Sequence, residues 1–231
     1  MKKLFPFLVL VLILVVTGCK KDPFETDNSG TFTDSRDSQE YPWVKIGEQI
    51  WMAQNAAHLP YVNPSSVKST TEARSYVYGY EGTDITAAKA TSNYDNYGGL
   101  YNYEAAKIAC PDGWHLPTDV EWKTMEMFLG MSQADADKTG FRESGSLGLK
   151  LKATTAWGTN QNTNSSGFNA IPSGYLGVAT FEELLTTGVF WTATGDASDT
   201  AYDRYLDSES IGIDRGAWPR DGGYSVRCIR N

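Results

Sequence analysis

The sequence predicts an α+β domain, and three observations indicate this class. Two helical segments lie near the middle of the chain, over residues 101–109 and 119–129. Short apolar segments separated by Gly, Asn, Asp and Ser follow them, as is typical of strands. Aromatic residues make up 13% of the 231 residues and glycines number 22, which favours an aromatic-rich core with many turns. Helices that precede a run of strands are typical of the α+β class.

The chain begins with the features of a secretory signal. Lys2 and Lys3 precede an apolar run over residues 4–16, which is shorter than the roughly 20 residues of a transmembrane helix. The run ends in Val-Thr-Gly-Cys, which resembles a bacterial lipobox, where the cysteine becomes the lipidated first residue. We therefore predict a signal peptide over residues 1–18 and acyl chains on Cys19 that hold the protein on a membrane. The alternative is an ordinary cleaved signal in which Cys19 has no such role.

The segment after the signal, residues 19–40, is polar and acidic, with Phe24 and Phe32 as strongly apolar exceptions. This composition predicts a flexible tether between the lipid and a domain over residues 41–231. The charged start of the tether, Lys-Lys-Asp, resembles the surface-export signals of some Bacteroidota lipoproteins. We therefore expect an outer-membrane lipoprotein exposed at the cell surface, with a periplasm-facing position as the alternative.

The net charge limits the classes of partner. The full chain has 28 acidic and 20 basic residues and a formal charge of −8, which becomes −10 when Lys2 and Lys3 leave with the signal peptide. A protein this acidic has no electrostatic attraction for nucleic acid or for anionic lipid. We therefore expect no nucleic-acid partner and membrane attachment through the acyl chains.

The domain is predicted to begin with a hairpin over residues 43–52, where two apolar runs flank a glycine-containing turn. Residues 55–97 predict loops with one strand at 75–80. A capping box marks the second helix, because the Thr118 hydroxyl can accept from the backbone of Glu121, whose carboxylate can reach back. The buried face of that helix would carry Trp122, Met125 and Leu129. Further strands are predicted over residues 167–172, 189–194, 201–206, 210–214 and 224–229.

Two cysteines remain if Cys19 is lipidated, namely Cys110 and Cys228. In an oxidising compartment such a pair indicates one disulfide, and two buried free thiols are the alternative. A structural zinc site would need more ligands, since the two histidines lie far apart in the sequence.

Six segments in order are characteristic: IWMAQN (50–55), GLYNYEAA (99–106), CPDGWHLPTDVEW (110–122), LKLK (149–152), GFNAIPSGY (167–175) and YSVRCIR (224–230). Together they resemble the Fibrobacter succinogenes major paralogous domain family over nearly the whole domain. The resemblance implies a C-type lectin-like fold, with two helices and short twisted antiparallel strands. It also implies a disulfide that joins the end of the first helix, at Cys110, to the last strand, at Cys228. It implies no particular activity.

The sequence does not favour catalysis. The LPTDVEW stretch (116–122) also resembles formylglycine-generating enzymes, but these use a further pair of copper-binding cysteines that is missing here. No Gly-x-Ser-x-Gly motif accompanies His58 or His115, and no spacing singles out two carboxylates for a glycosidase. We therefore predict no catalytic residues and a protein that is not an enzyme.

An acidic belt raises the question of calcium. The Glu-Pro-Asn, Gln-Pro-Asp and Trp-Asn-Asp motifs of calcium-dependent lectins do not occur in the chain. Hard cations need several oxygen ligands at one point, and solvated loop carboxylates are the favoured interpretation of the belt. No cofactor is therefore expected, with calcium as the alternative. The belt comprises Asp196, Asp199, Asp203, Asp207, Glu209, Asp214 and Asp221, of which Asp196, Asp199, Asp203 and Asp214 are candidate calcium ligands.

Aromatic and cationic residues in polar loops indicate a binding surface, because exposed aromatics stack on sugars and anchor protein partners. The candidate ligand-binding residues are Trp157, Tyr175, Arg215, Trp218 and Arg220, in loops over residues 157–164 and 214–221. We expect a non-catalytic surface protein that binds a glycan or another protein. The alternatives are a structural or fibre-associated subunit of the cell surface and a cryptic polysaccharide hydrolase.

Overall fold

The computed structural model describes residues 22–158, 161–178 and 180–231. The predicted signal peptide and the predicted lipidation site at Cys19 lie outside these residues. Within the described part, no helix combines the length and apolar character needed to cross a membrane.

Short strands dominate the described residues. The strands are β1 (Ser29–Thr33), β2 (Glu40–Ile46), β3 (Gln49–Met52), β4 (Ser75–Tyr76), β5 (Leu100–Tyr101), β6 (Trp114–His115), β7 (Gly140–Arg142), β8 (Ser173–Leu176), β9 (Phe181–Leu184), β10 (Thr187–Gly195), β11 (Thr200–Asp207), β12 (Ile213–Arg215), β13 (Ala217–Pro219) and β14 (Ile229–Arg230). The α-helices are α1 (Pro23–Thr26), α2 (Ile85–Lys89), α3 (Ser92–Tyr97), α4 (Tyr103–Ala106), α5 (Asp119–Phe128), α6 (Gln133–Ala136) and α7 (Leu147–Leu151).

The first sheet has five strands in the order β1-β2-β3-β14-β6. The predicted hairpin forms its centre, with Ile46 opposite Gln49 across a two-residue turn. Gly47 in that turn has φ of +63°, and a Cβ there would lie 3.0 Å from the Phe128 ring, so the turn requires glycine. The last strand enters between β3 and β6, which brings the two ends of the domain together.

The segment predicted as a flexible tether is ordered from Asp22 onward, so the tether prediction is wrong for residues 22–40. Strand β1 pairs antiparallel with β2 over its full length. Its Phe32 ring stacks on Trp114 at 4.4 Å, and Phe24 packs against Trp43 at 4.8 Å. These two phenylalanines, the apolar exceptions in a polar segment, attach it to the core. Sheet order therefore begins before Tyr41, at β1.

The second sheet has seven strands, in the order β7-β12-β11-β10-β8-β9 with β13 also paired to β11. Strands β12 and β13 pair with β11 in one continuous register, since Asp214 lies opposite Tyr205 and Trp218 lies opposite Ala201. One face of this sheet packs on Phe168, Trp122 and α5, and part of the other face packs on the aromatic core that contains Trp191 and Tyr224. A third sheet consists of β4 and β5.

The α+β prediction is wrong, because the described domain is mainly β. The second predicted helix is confirmed as α5 with its capping box, and it has ten residues. The first predicted helix is reduced to the four residues of α4. Tyr101 pairs with Ser75 and Tyr224 in sheet structure, and the Asn102 side chain caps the backbone of Ala105. The residues predicted to begin that helix thus take part in long-range sheet pairing instead.

The C-type lectin-like fold implied by the family resemblance is wrong for the same reason. A C-type lectin-like layout of two helices with short strands does not describe three sheets and seven short helices in the described residues. The pairing of Cys110 with Cys228 is confirmed. Cys110, however, lies in a turn beyond α4, and Cys228 immediately precedes β14. The disulfide therefore joins two connecting segments, not a helix to a strand.

Candidate functional site

The alternation of side chains along β11 divides the seven-stranded sheet into two chemically different faces. Successive side chains of a strand point to opposite faces. Arg204 and Leu206 lie on the face toward α5, where they contact Glu126 and the core around Phe168. Asp203, Tyr205 and Asp207 lie on the other face, which we call the cleft face.

An open cleft of about 630 Å³ lies on the cleft face. Register explains its composition, because Phe141 lies opposite Asp214, which lies opposite Tyr205. Residues from β7, β8, β9, β11, β12 and β13 therefore converge on one site. The cleft is lined by Phe141, Glu143, Tyr175, Glu183, Tyr205, Asp207, Glu209, Ser210, Asp214 and Trp218.

Two aromatic pairs line the cleft. Tyr175 and Trp218 form a tilted pair with ring centroids 6.4 Å apart. Phe141 and Tyr205 form an edge-to-face pair at 5.8 Å. Trp218 is 42% exposed and Phe141 is 52% exposed, so both present ring surface to solvent. Such rings supply flat apolar platforms for a ligand.

Five carboxylates accompany the aromatic pairs. Hydroxyls position one of them, since Tyr205 and Thr187 donate to Glu183 at 2.8 and 2.6 Å. Burial raises the pKa of Asp214, against the opposing charges of Arg142 and Arg204. Within the described residues none of the five takes part in an ion pair, and no basic side chain lines the cleft. We call them the cleft carboxylates: Glu143, Glu183, Asp207, Glu209 and Asp214.

A sixth carboxyl, Asp203, lies on the cleft face but does not line the cleft. It is on the same face of β11 as Tyr205 and Asp207, opposite Trp191, and its side chain is fully buried. Neither of its carboxylate oxygens accepts a hydrogen bond from the described residues. Burial raises the pKa of Asp203 well above its usual value, and the neighbouring Asp214 adds to the shift. An unpaired buried carboxyl is costly, so a functional reason for its presence is expected.

Replacing Asp203 by Asn is expected to raise the free energy of unfolding at neutral pH and to leave it almost unchanged near pH 3. Because the pKa is raised in the folded state, the folded protein binds more protons than the unfolded chain as pH rises through the unfolded value of about 3.9. The free energy of unfolding of the wild type therefore falls as the pH rises above this value. The asparagine variant does not titrate at this position and lacks that fall. Urea titrations at both pH values measure this difference. A destabilised variant at pH 7 would show that Asp203 has a stabilising partner.

The opposite face of the sheet holds a buried ionic network. Glu126 on α5 accepts from Arg142 at 2.7 and 3.0 Å and from Arg204 at 2.5 Å. Arg215 forms a bidentate pair with Asp119 at 2.8 Å. Burial opposes ionisation of Asp119, but Arg215 and Arg204 outweigh it and lower its pKa to about 2. The arginines near the sheet are thus neutralised on this face and are directed away from the cleft.

Among the predicted ligand-binding residues, Tyr175 and Trp218 meet in the cleft and the other three lie elsewhere. Trp157 is buried, and its indole donates to the carbonyl of Ala170 at 2.8 Å. Arg215 is on the opposite face with Asp119, because it is adjacent in the pleat to Asp214. Arg220 donates to the carbonyls of Thr200 and Ala197, which holds the β10–β11 connection.

The candidate calcium ligands do not converge. Within residues 22–158, 161–178 and 180–231, the group of three side chains with ligand atoms within 4.8 Å of one another is Asp34, Asp37 and His58. None of the predicted residues Asp196, Asp199, Asp203 and Asp214 belongs to it. Asp34 is already neutralised by Arg36, which donates to both of its carboxylate oxygens. Asp196 and Asp199 are exposed near the β10–β11 connection.

Several cleft residues were not predicted from the sequence. The spacing of Asp203, Tyr205 and Asp207 in a predicted strand was an available signal, because alternate residues share a face. No such signal marked Phe141, Glu143 or Glu183. They lie on or directly after the short strands β7 and β9, which reach the site through sheet pairing.

A model of the Fibrobacter succinogenes major domain family matches residues 44–230 of the chain. The chain belongs to the Fibrobacter succinogenes major domain family. Comparisons with curated proteins and with solved structures give no match. The match identifies the domain and carries no ligand or reaction with it.

The segments that carry the resemblance to the Fibrobacter succinogenes major domain meet in the interior. Arg227, from the last of them, is fully buried and donates to Asn55 and to the carbonyls of Phe168 and Asn169. Its guanidinium lies 4.6 Å from the Phe168 ring centroid. Apart from Tyr175, the residues that line the cleft lie outside those segments. The family segments thus build the scaffold, and the cleft is built from other parts of the chain.

Proposed function

We propose that this protein is a non-catalytic binding module of the cell surface, and that the cleft of the seven-stranded sheet binds a glycan. The observation that carries the proposal is the two aromatic pairs, Tyr175–Trp218 and Phe141–Tyr205, which line one open cleft. Sugar rings stack on exposed aromatic side chains through their apolar faces. The cleft carboxylates can accept hydrogen bonds from sugar hydroxyls.

The proposed location follows from the N-terminal sequence. Acyl chains on Cys19 would attach the protein to the outer membrane. Because the chain is ordered from Asp22 onward, the lipid would be only a few residues from the first packed residue. The domain would therefore stand close to the membrane surface, with the cleft open to glycans of the envelope or of the surroundings.

Replacing Trp218 by Ala is expected to weaken glycan binding by at least about tenfold, because one wall of the cleft loses its exposed aromatic platform. Binding is measured first on a glycan array with the full-length protein in detergent, and then by calorimetry on the glycans that bind. Trp218 is partly exposed, so the free energy of unfolding should change little.

The matched control is Phe128→Ala. Phe128 is also an exposed aromatic residue, at 65%, but it lies on α5 beside a different groove near Gly47. We expect this variant to bind as the wild type does. Equal losses in both variants would contradict the assignment of the cleft. The appearance of new reducing ends during incubation would contradict the non-catalytic proposal and favour a hydrolase that uses the cleft carboxylates.

A further inference from the structure

We infer that the ligand of the cleft carries protonated amines and is an amino-sugar oligomer without acetyl groups. This inference rests on the proposed glycan binding and adds the charge of the ligand to it. Three observations support it: the absence of ion pairs at the cleft carboxylates among the described residues, the buried Asp203 on the same face, and the aromatic rings beside the carboxylates.

The two faces of the sheet compensate their charges differently. On the face toward α5, Glu126 and Asp119 are paired with arginines at 2.5 to 2.9 Å. On the cleft face, the cleft carboxylates have no ion-pair partner among the described residues. Like charges gathered in a concave site raise the local negative potential and attract cations. A neutral sugar would not relieve this repulsion, whereas a protonated amine would.

Asp203 adds an independent observation. It is a fully buried carboxyl on the cleft face, and its two oxygens lack partners among the described residues. On the same face of the sheet, a small apolar depression that shares three residues with the cleft is lined by Tyr175, Tyr205, Trp218 and Tyr224 with Val189. A solvated surface carboxylate needs no partner, but a buried one does. A cation bound over these aromatic rings would lie on the same face of the sheet as Asp203 and would favour the ionised form of that carboxyl.

The aromatic rings are suited to a cation as well as to a sugar. The faces of Trp and Tyr rings attract ammonium groups, and the attraction increases when water is excluded. The aromatic side chains of Trp218 and Tyr205 lie on the same face of the sheet as the carboxylates of Asp214 and Asp207. An aromatic side chain and a carboxylate can therefore contact the same amino-sugar residue. A neutral or anionic glycan would use the platforms but not the charges.

The test compares two ligands that differ at one substituent, a protonated amine in one and a larger, neutral acetamide in the other. Oligomers of glucosamine and of N-acetylglucosamine have the same backbone, and acetylation removes the positive charge. The full-length protein is titrated with the tetramer of each, at low and at high salt. We expect the glucosamine tetramer to bind at least about tenfold more tightly, with an advantage that shrinks as salt screens the charges.

Two variants locate the effect. Asp214→Asn and Asp203→Asn should each lower the affinity for the glucosamine tetramer by about threefold or more and leave the affinity for the acetylated tetramer nearly unchanged. Asp112→Asn is the matched control, because it removes one exposed carboxylate outside the cleft. The Asp203 variant should lose affinity while its folded state is retained, which a purely structural residue would not do.

The outcomes separate the inference from the function on which it rests. Equal affinity for the two tetramers, or tighter binding of the acetylated one, would overturn the inference and leave glycan binding intact. Absence of binding to both, and to every glycan of the array, would overturn both proposals. A tetralysine peptide that binds as tightly as the glucosamine tetramer would overturn the amino-sugar assignment, since charge alone would then suffice.

Discussion

Removal of the disulfide between Cys110 and Cys228 is expected to lower the free energy of unfolding by about 4–5 kcal/mol, because the bond closes a loop of 118 residues in the unfolded chain. The bond ties the turn after α4 to the segment that enters the first sheet as β14. Cys228 is also fully buried in the aromatic core. The measurement is urea unfolding of the Cys110→Ala/Cys228→Ala double variant.

Reduction of the wild-type protein provides the control. A reductant should shift the unfolding midpoint of the wild type toward that of the double variant and should leave the variant unchanged. If the variant loses less than about 1 kcal/mol, the bond does not constrain the unfolded chain as the loop-entropy argument requires. If the unfolding midpoint of the reduced wild type stays well above that of the variant, part of the variant's loss of stability comes from lost packing around Cys228 and not from the missing bond.

Replacement of Glu126 by Gln is expected to destabilise the domain by about 3–5 kcal/mol. Glu126 is fully buried and accepts from two arginines, Arg142 and Arg204. Glutamine has a similar shape but no charge, so the side chains of both arginines would remain buried with weaker compensation. Arg204 would keep its contact with Asp119 at 2.9 Å, which limits the loss.

Glu104→Gln is the control for this variant. Glu104 on α4 pairs at 2.6 Å with Lys107, the residue that follows this helix, and both side chains are partly exposed. Exposed pairs contribute less than about 1 kcal/mol, so this change should be small. Similar losses in the two variants, measured by urea unfolding, would contradict the assignment of the network as the main electrostatic support of the sheet. A larger loss at Glu126 would confirm it.

Local signals in the sequence were sufficient for several elements. The β2–β3 hairpin follows from two apolar runs around Gly47, and α5 follows from the capping box of Thr118 and Glu121. The longest strands, β10 and β11, contain the apolar segments 189–194 and 201–206 that predicted strands. The pairing of Cys110 with Cys228 followed from the family resemblance. In each case the information lies in residues close in sequence or in a recognisable motif.

The balance of helix and strand required tertiary structure. Strands such as β6 and β14 have two residues, which is too short for a periodic pattern. They exist because Ile229 pairs with Trp51 on one side and with His115 on the other. The β1 strand likewise depends on its partner β2 and on two phenylalanines. Pairing over such distances has no local signature, so the sequence overestimated helix and tether.

The residues of the cleft were likewise predictable from the sequence only in part. The sequence by itself identified an acidic belt near the C-terminus, and it singled out Tyr175 and Trp218 as ligand-binding candidates and Asp214 as a candidate calcium ligand. Only the tertiary structure decided which of them meet. A shift of one residue in a strand moves a side chain to the other face. For this reason Asp214 lines the cleft, whereas Arg215, its neighbour in sequence, is buried against Asp119 on the opposite face of the sheet.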